Sequence, residues 1–411
     1  MFWLAAILIA AAGIALRVVP SAGFKGTGFD EALYRTYVLM LDGKSLADYG
    51  DLTEAFLVDQ RKPDTITKLP PTRFLYIFCG WAWKRAEFGS AGPVDLKSPG
   101  GPQRDPALVS LHRVACLFTV LLMVVGGVAA WRMIGRGAGL AVLALLAASP
   151  LGLHMSQHAL IDGFFAFWAT LCLWLLWENL RQPDRPGWLL GYGAALGLMV
   201  MTKENSFFVF CALSALVVVN RWTAFGKVTP KLLMAHFAGP AFGFLLLVTV
   251  AGGFENFIET YKLLVAKAQN LDYAIKTGDG PWHRYLVDLM IATPLVLCLA
   301  IGGIFLLVKQ HRVHLFLTLF IAFSYVIMCN VRYAMNLRYA TVWELPLHLL
   351  AFGALAAITA PLGRRAPLVL LVAVAGLCAY GVRQYVIFSV DHQMYELVTE
   401  GLLRSVKILK N

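Results

Sequence analysis

Long apolar runs, separated by short polar connections, account for most of this chain and leave few folds open to it. They fall near 2–20, 107–131, 137–153, 162–178, 187–202, 205–219, 231–251, 286–308, 313–330, 338–358 and 366–388. Most approach the ~20 residues a helix needs to cross the hydrocarbon core of a bilayer. The expectation is an all-α, polytopic membrane protein of about eleven transmembrane helices. Composition agrees: 59% of the 411 residues are hydrophobic, 14% are charged, and mean hydropathy is +0.68. Soluble domains are only about half apolar.

A net charge of +11 raises the question of nucleic acid, whose binders cluster Lys and Arg on one face. Here the basic residues sit in small groups between apolar runs, the pattern of cytoplasmic loops, so no nucleic-acid partner is expected. The seven cysteines (Cys79, Cys116, Cys172, Cys211, Cys298, Cys329, Cys378) lie in or beside apolar runs with no CxxC spacing. They read as small buried hydrophobes.

The first run carries no positively charged n-region, so it reads as a retained helix rather than a cleaved signal peptide. Residues 21–106 then turn polar, too long for a bare connector. Leu33, Tyr37, Val38 and Leu41 recur at helical spacing there, which suits a short helix lying on the membrane. Segment 71–88 is barely long enough to span, is broken by Arg73 and is rich in aromatics, which favour the interface.

Charge parity decides how that segment is read. If it does not cross, Arg132 and Arg136, Arg181 and Arg185, Arg221, Lys227 and Lys231, Lys309 and Arg312, and Arg364 and Arg365 share the cytoplasmic side, as the positive-inside rule asks. Segment 71–88 is therefore expected to be interfacial or re-entrant. The opposite face then collects Asp30 and Glu31, the turn 154–162, the turn 202–205, the long loop 252–285 and residues 330–339.

Two adjacent carboxylates on a non-cytoplasmic membrane-surface helix, Asp30 and Glu31, suit a general base that takes a proton from an acceptor hydroxyl beside a lipid-borne electrophile. Carboxylate charge also stabilises an oxocarbenium-like centre. A leaving phosphate needs cations, and Lys68, Arg73, Lys203, Arg332 and Arg338 are candidates. The structural alternative for Asp30 and Glu31 is helix capping and opposition to the helix dipole. Asp162 opens an apolar run, where it too can serve as a helix start. Together with His154 and His158 it is an alternative divalent-metal site if that stretch is helical. No cofactor is required. Gly23, Gly26 and Gly28 lack the order and the preceding strand of a dinucleotide loop.

The ordered set carries a likeness. It comprises Asp30-Glu31 with Tyr34, Lys68-Leu69-Pro70-Pro71 before an aromatic run, Arg113 early in the next helix, and Ala159-Leu160-Ile161-Asp162-Gly163-Phe164-Phe165-Ala166-Phe167. It continues with Gly197 to Lys203-Glu204, then Leu337-Arg338-Tyr339 before Leu345-Pro346. This set resembles the GT-C membrane glycosyltransferases, in particular the protein mannosyltransferases (glycosyltransferase family 39) and the bacterial lipid A aminoarabinose transferases. The resemblance implies a polyprenyl-phosphate sugar donor, an extracytoplasmic hydroxyl acceptor (glycan, lipid or protein), inversion, and a bacterial inner-membrane protein with a periplasmic site. It implies Asp30 as the catalytic carboxylate assisted by Glu31. Tyr34, Lys68, Arg73, Lys203, Arg332 and Arg338 are expected around donor and phosphate, with Arg113, Asp162 and Glu204 supporting the cavity.

There are departures. Leu33 stands where the aminoarabinose transferases carry Arg, and an extra residue separates Lys68 from its prolines. The tail 389–411 is short, so acceptor recognition is expected from the long loops or a partner. A transporter or flippase of polyprenyl-linked sugars is the alternative, and a catalytically silent subunit is a third reading.

Overall fold

The computed structural model describes residues 2–19, 27–268, 280–307, 312–331, 335–395 and 397. Among these residues the secondary structure is helical, with no strand. Among the described residues, five helices have the length and hydropathy to cross a membrane, and six if a bent pair counts as one span. The apolar helices Phe2–Val18, Pro186–Val200, Pro294–Leu307 and Arg312–Met328 are shorter. The run Leu337–Asp391 contains two helices, Glu344–Thr359 and Ala366–Tyr385, separated where Gly363 takes a φ of 56°. The expected eleven is thus a count of apolar segments, not of helices that all have a full span's length.

The bent pair shows how sequence sets the path. Arg136–Ala147 and Pro150–Ser156 meet at 56°. Ser149 caps the second helix, its hydroxyl accepting from the Gly152 N–H, and Pro150 occupies the first turn, where a missing N–H costs nothing. The carbonyls freed at the break are met by buried Arg17 of the first helix, whose guanidinium donates to Leu146 at 2.8 Å and Ala147 at 3.0 Å.

Helices Pro186–Val200 and Pro230–Val250 approach through glycines. A Cβ on Gly239 would lie 2.3 Å from the Gly193 carbonyl oxygen, and one on Gly243 2.3 Å from that of Gly197. Small residues four apart on both helices permit this backbone contact, as membrane helices commonly do.

The polar stretch after the first helix folds into helices Phe29–Met40, Gly50–Gln60 and Phe74–Phe88. The last is not among the helices with a span's composition. It carries Lys84, which is buried and paired with Asp42 at 2.9 Å. Asp105 ends this region as a three-way strut. It caps helix Pro106–Met133 through the Leu108 N–H, accepts the Val94 N–H and pairs with Arg35 at 2.8 Å. The later loop joins the same end: Arg61 forks onto Glu259 of helix Phe254–Ala268, and Thr72 meets the Tyr261 hydroxyl.

Candidate active site

Helix Phe29–Met40 begins where Gly28 is extended and its N–H donates to the Glu31 carboxylate at 2.8 Å. Leu33, Tyr34, Tyr37 and Val38 form the buried stripe that fixes the helix's rotation. A Cβ on Gly28 would collide with the Tyr395 ring, so only glycine allows this approach. The second Glu31 oxygen accepts the Ala159 N–H at 2.7 Å. Ala159 lies two residues before helix Ile161–Arg181, next to its N-cap Leu160, so Glu31 fastens the start of the Asp30 helix to the start of the Asp162 helix. Burial alone would raise the Glu31 carboxyl. The bond and charge of His158 and the two backbone N–H groups outweigh it and hold the group below its ordinary value.

With Glu31 turned inward, Asp30 faces the cluster, its side chain 22% exposed. Its Oδ2 accepts from Arg338 Nη1 at 3.1 Å. The same Nη1 lies 3.6 Å from Asp162 Oδ2, and Asp162 Oδ1 accepts from Lys203 Nζ at 2.5 Å. Arg338 comes from the 3-10 helix Leu337–Trp343, capped by the Asn336 side chain. Lys203 and Glu204 come from the turn after Pro186–Val200. Beside this row, Arg73 grips Glu204 through Nε and Nη2 and donates from Nη1 to the Tyr34 hydroxyl at 2.6 Å. Lys203 Nζ also sits 3.8 Å above the Tyr339 ring.

Three carboxylates, Asp30, Asp162 and Glu204, therefore interlock with three cations, Arg73, Lys203 and Arg338. Burial pulls the Lys203 ammonium down to about 8, against the raising field of Asp162. For Arg73, burial is outweighed by Glu204 and Tyr34, which hold the guanidinium well above its ordinary value. Glu204, raised by burial, is brought below the usual carboxylate range by Arg73. Charged clusters this dry are costly to assemble, which marks them as functional candidates.

The geometry joins Asp30, Tyr34, Arg73, Asp162, Lys203, Glu204 and Arg338. Glu31 is adjacent, with both its oxygens accepting backbone N–H groups. Lys68 does not join; its ammonium pairs with Asp59 at 2.9 Å, both side chains about one-third exposed. Arg113 does not join either, since it reaches outward to Glu87 and over the Phe88 ring. Arg332 lies outside the described residues. The metal alternative at His158 and Asp162 finds no ligand set: among the described residues no three His, Cys, Asp or Glu side chains are grouped to hold an ion. Asp162 is turned to Lys203 and Arg338, while His158 faces Glu31 at 3.5 Å and Tyr395 ring to ring.

Two contributors are not among the expected site residues. Tyr339 lies under Lys203, and Tyr395 packs against His158 and Gly28. An aromatic beside an arginine, as in Arg338-Tyr339, hints at the first. No local pattern announces the second.

The family model of dolichyl-phosphate-mannose-protein mannosyltransferases matches residues 89–259. That stretch holds Asp162, Lys203 and Glu204 but not Asp30, Arg73 or Arg338. No curated protein matches the chain in sequence. Among solved structures, the Archaeoglobus fulgidus oligosaccharyltransferase in complex with Zn and sulfate superposes with a TM-score of 0.60 at 13% identity, over 93% of this chain and 53% of that one. ArnT from Cupriavidus metallidurans bound to undecaprenyl phosphate superposes with a TM-score of 0.52 at 16% identity, over 99% and 77%. The chain has the GT-C fold. It spans about half the length of the oligosaccharyltransferase and about three-quarters of ArnT. Within this GT-C fold the interlocked cluster is formed by the loop after the first helix, the start of the Asp162 helix, the Lys203 turn and the 3-10 segment at Arg338.

Proposed function

We propose that the chain is an integral membrane glycosyltransferase that moves a sugar from a polyprenyl-phosphate donor to a hydroxyl acceptor, with Asp30 as general base. The observation carrying this reading is the position of Asp30. Asp30 and Glu204 are the two partly open carboxylates of the cluster, 22% and 23% exposed; Arg73 holds both oxygens of Glu204, whereas Asp30 has Oδ2 held by Arg338 and Oδ1 without a partner among the described residues. Oδ1 accepts the proton as the acceptor oxygen attacks the anomeric carbon from the face opposite the phosphate, giving inversion. The carbon–oxygen bond to phosphate breaks, and its electron pair leaves with the phosphate, so no general acid is needed.

Arg338, Lys203 and Arg73 are the cations beside that leaving group. Each already has a carboxylate partner, so the donor phosphate must share one of them. Arg338 is placed for this. It is divided between Asp30 and Asp162, and turning toward phosphate releases Asp30 as a base while Asp162 retains Lys203. ArnT bound to undecaprenyl phosphate and the mannosyltransferase family match support a lipid-phosphate donor. The Lys and Arg bias of the connections at the opposite end supports a site on the non-cytoplasmic face, periplasmic in a bacterial inner membrane.

The test is transfer of sugar from a purified polyprenyl-phosphate donor by reconstituted protein. Asp30→Asn removes the base and its charge, and turnover falls by ~10² to 10⁴ from the proton-transfer contribution alone. Transfer at the parental rate by Asp30→Asn protein rejects the assignment and favours a carrier of lipid-linked sugars.

A further inference from the structure

Helix Ile161–Arg181 rises ~1.5 Å per residue, so Arg181 lies ~28 Å from Asp162, at the other end of the bundle. A cavity of about 350 Å³ opens there between the ends of helices Pro106–Met133, Ile161–Arg181 and Arg312–Met328. Arg132, Arg181, Arg312, Trp177, Glu178 and Gln182 line it. Glu178 is buried and its charge is spent, because Arg132 forks onto both its oxygens at 2.9 and 2.8 Å. Arg181 lies over the Trp177 ring with its side chain exposed, and Arg312 donates to the Ala224 carbonyl. Neither has a carboxylate partner among the described residues. The lining therefore carries two uncompensated guanidinium groups around a hole large enough for a phosphate.

We infer that this cavity binds the phosphate headgroup of an anionic lipid from the adjoining leaflet. Guanidinium groups match phosphate oxygens in bidentate fashion, and basic pockets between membrane helices at the cytoplasmic side take such headgroups. A lipid is favoured over soluble phosphate by the surroundings. Exposed Ile134 follows the Met133 wall, and exposed Trp222 lies two residues before Ala224, so apolar surface for acyl chains borders the basic lining. The inference does not depend on the glycosyltransferase reading, since the cluster at Asp30 is at the other end.

Native mass spectrometry of the full chain in neutral detergent tests it, with dioleoylphosphatidylglycerol, dioleoylphosphatidylcholine and inorganic phosphate as probes. One phosphatidylglycerol should be retained in preference to phosphatidylcholine. Arg181→Gln with Arg312→Gln weakens that retention about thirtyfold, the effect of two cations at a membrane surface, while Arg364→Gln with Arg365→Gln leaves it unchanged. Equal retention of the two lipids overturns the inference, as does an equal loss in the Arg364 and Arg365 variant. Displacement of the lipid by inorganic phosphate at matching concentration overturns the lipid assignment. A second measurement needs no arginine variant. Brominated phosphatidylglycerol should quench the Trp177 component, obtained by difference with Trp177→Phe, more than brominated phosphatidylcholine does; equal quenching overturns the inference.

Discussion

The two ends of helix Ile161–Arg181 solve opposite electrostatic problems. At the Asp162 end three carboxylates and three cations interlock, most of them out of water. At the Arg181 end three arginines face one glutamate, and Arg132 and Arg181 keep contact with solvent. A balanced cluster offers an incoming anion no spare charge, so binding there requires one pair to be exchanged for another. A surplus of arginine binds an anion by addition. A surplus of this kind is what the positive-inside bias produces at a cytoplasmic end. That bias does not account for matched acids and bases brought together at the other end from four separate stretches of chain.

Function at the first end should therefore depend on the identity of single residues, and at the second on the number of charges. The largest expected contrast is in turnover. Asp30→Asn loses ~10² to 10⁴, whereas Arg364→Gln, at an exposed arginine outside both sites, leaves turnover at the parental rate in the same assay. Equal losses in both would erase the distinction between the ends.

Next in size is stability. Asp162→Asn leaves Lys203 and Arg338 without their shared counter-charge, and breaking a buried pair costs about 3 to 5 kcal/mol. Adding Lys203→Met to Asp162→Asn should recover most of the lost thermal midpoint in detergent, the signature of two coupled residues. Glu178→Gln at the other end costs on the order of 1 kcal/mol, because Arg132, 35% exposed, can turn to water. A double variant no more stable than Asp162→Asn alone would mean that Lys203 is held by something other than Asp162.

Much of this contrast can be read along the chain. Helical segments follow from the length and hydropathy of the runs, and the grouping of arginines at one end follows from parity. Asp30, Asp162, Lys203 and Arg338 are recognisable because ionisable residues at the edges of apolar runs are expensive and need partners. Their pairing is not legible, since it joins residues as far apart as Asp30 and Arg338 and depends on tertiary packing. Glu31 shows the limit most clearly. Its partner is the N–H of Ala159, a group every residue but proline carries, so no side-chain pattern could separate this brace from a second catalytic acid. Lys68 and Arg113 stand apart from the cluster for a related reason: each has an acid close by, Asp59 and Glu87, that pairs with it locally.

The Lys203 turn depends on the glycine contact that precedes it. Gly239→Ala places a Cβ 2.3 Å from the Gly193 carbonyl, and neither partner there is a flexible side chain able to yield. The helices must part, at a cost of about 1 to 3 kcal/mol for overpacking. Helix Pro186–Val200 ends directly before the turn carrying Lys203 and Glu204, so the donor KM should rise while lipid retention at the arginine end stays constant. A fall in thermal midpoint with both functions intact would confine the effect to packing.

The smallest expected effect is the one that separates exchange from addition most directly. Burial brings the Lys203 ammonium down to about 8, from the ~10.4 of an unfolded lysine. Between these values the folded chain binds fewer protons than the unfolded chain, so this group's contribution to stability rises with pH. Donor binding moves the other way, because the cation beside the phosphate is lost in the same interval. The donor KM should therefore rise by up to about tenfold between pH 7 and pH 9.5, one unit of interaction per proton released. In Lys203→Arg the rise should vanish, since a guanidinium keeps its charge throughout. Lipid retention at the Arg181 cavity, built from guanidinium groups, should stay level over the same range. A donor KM that is flat in the parental protein would place Lys203 outside phosphate binding and leave Arg338 and Arg73 to hold the leaving group.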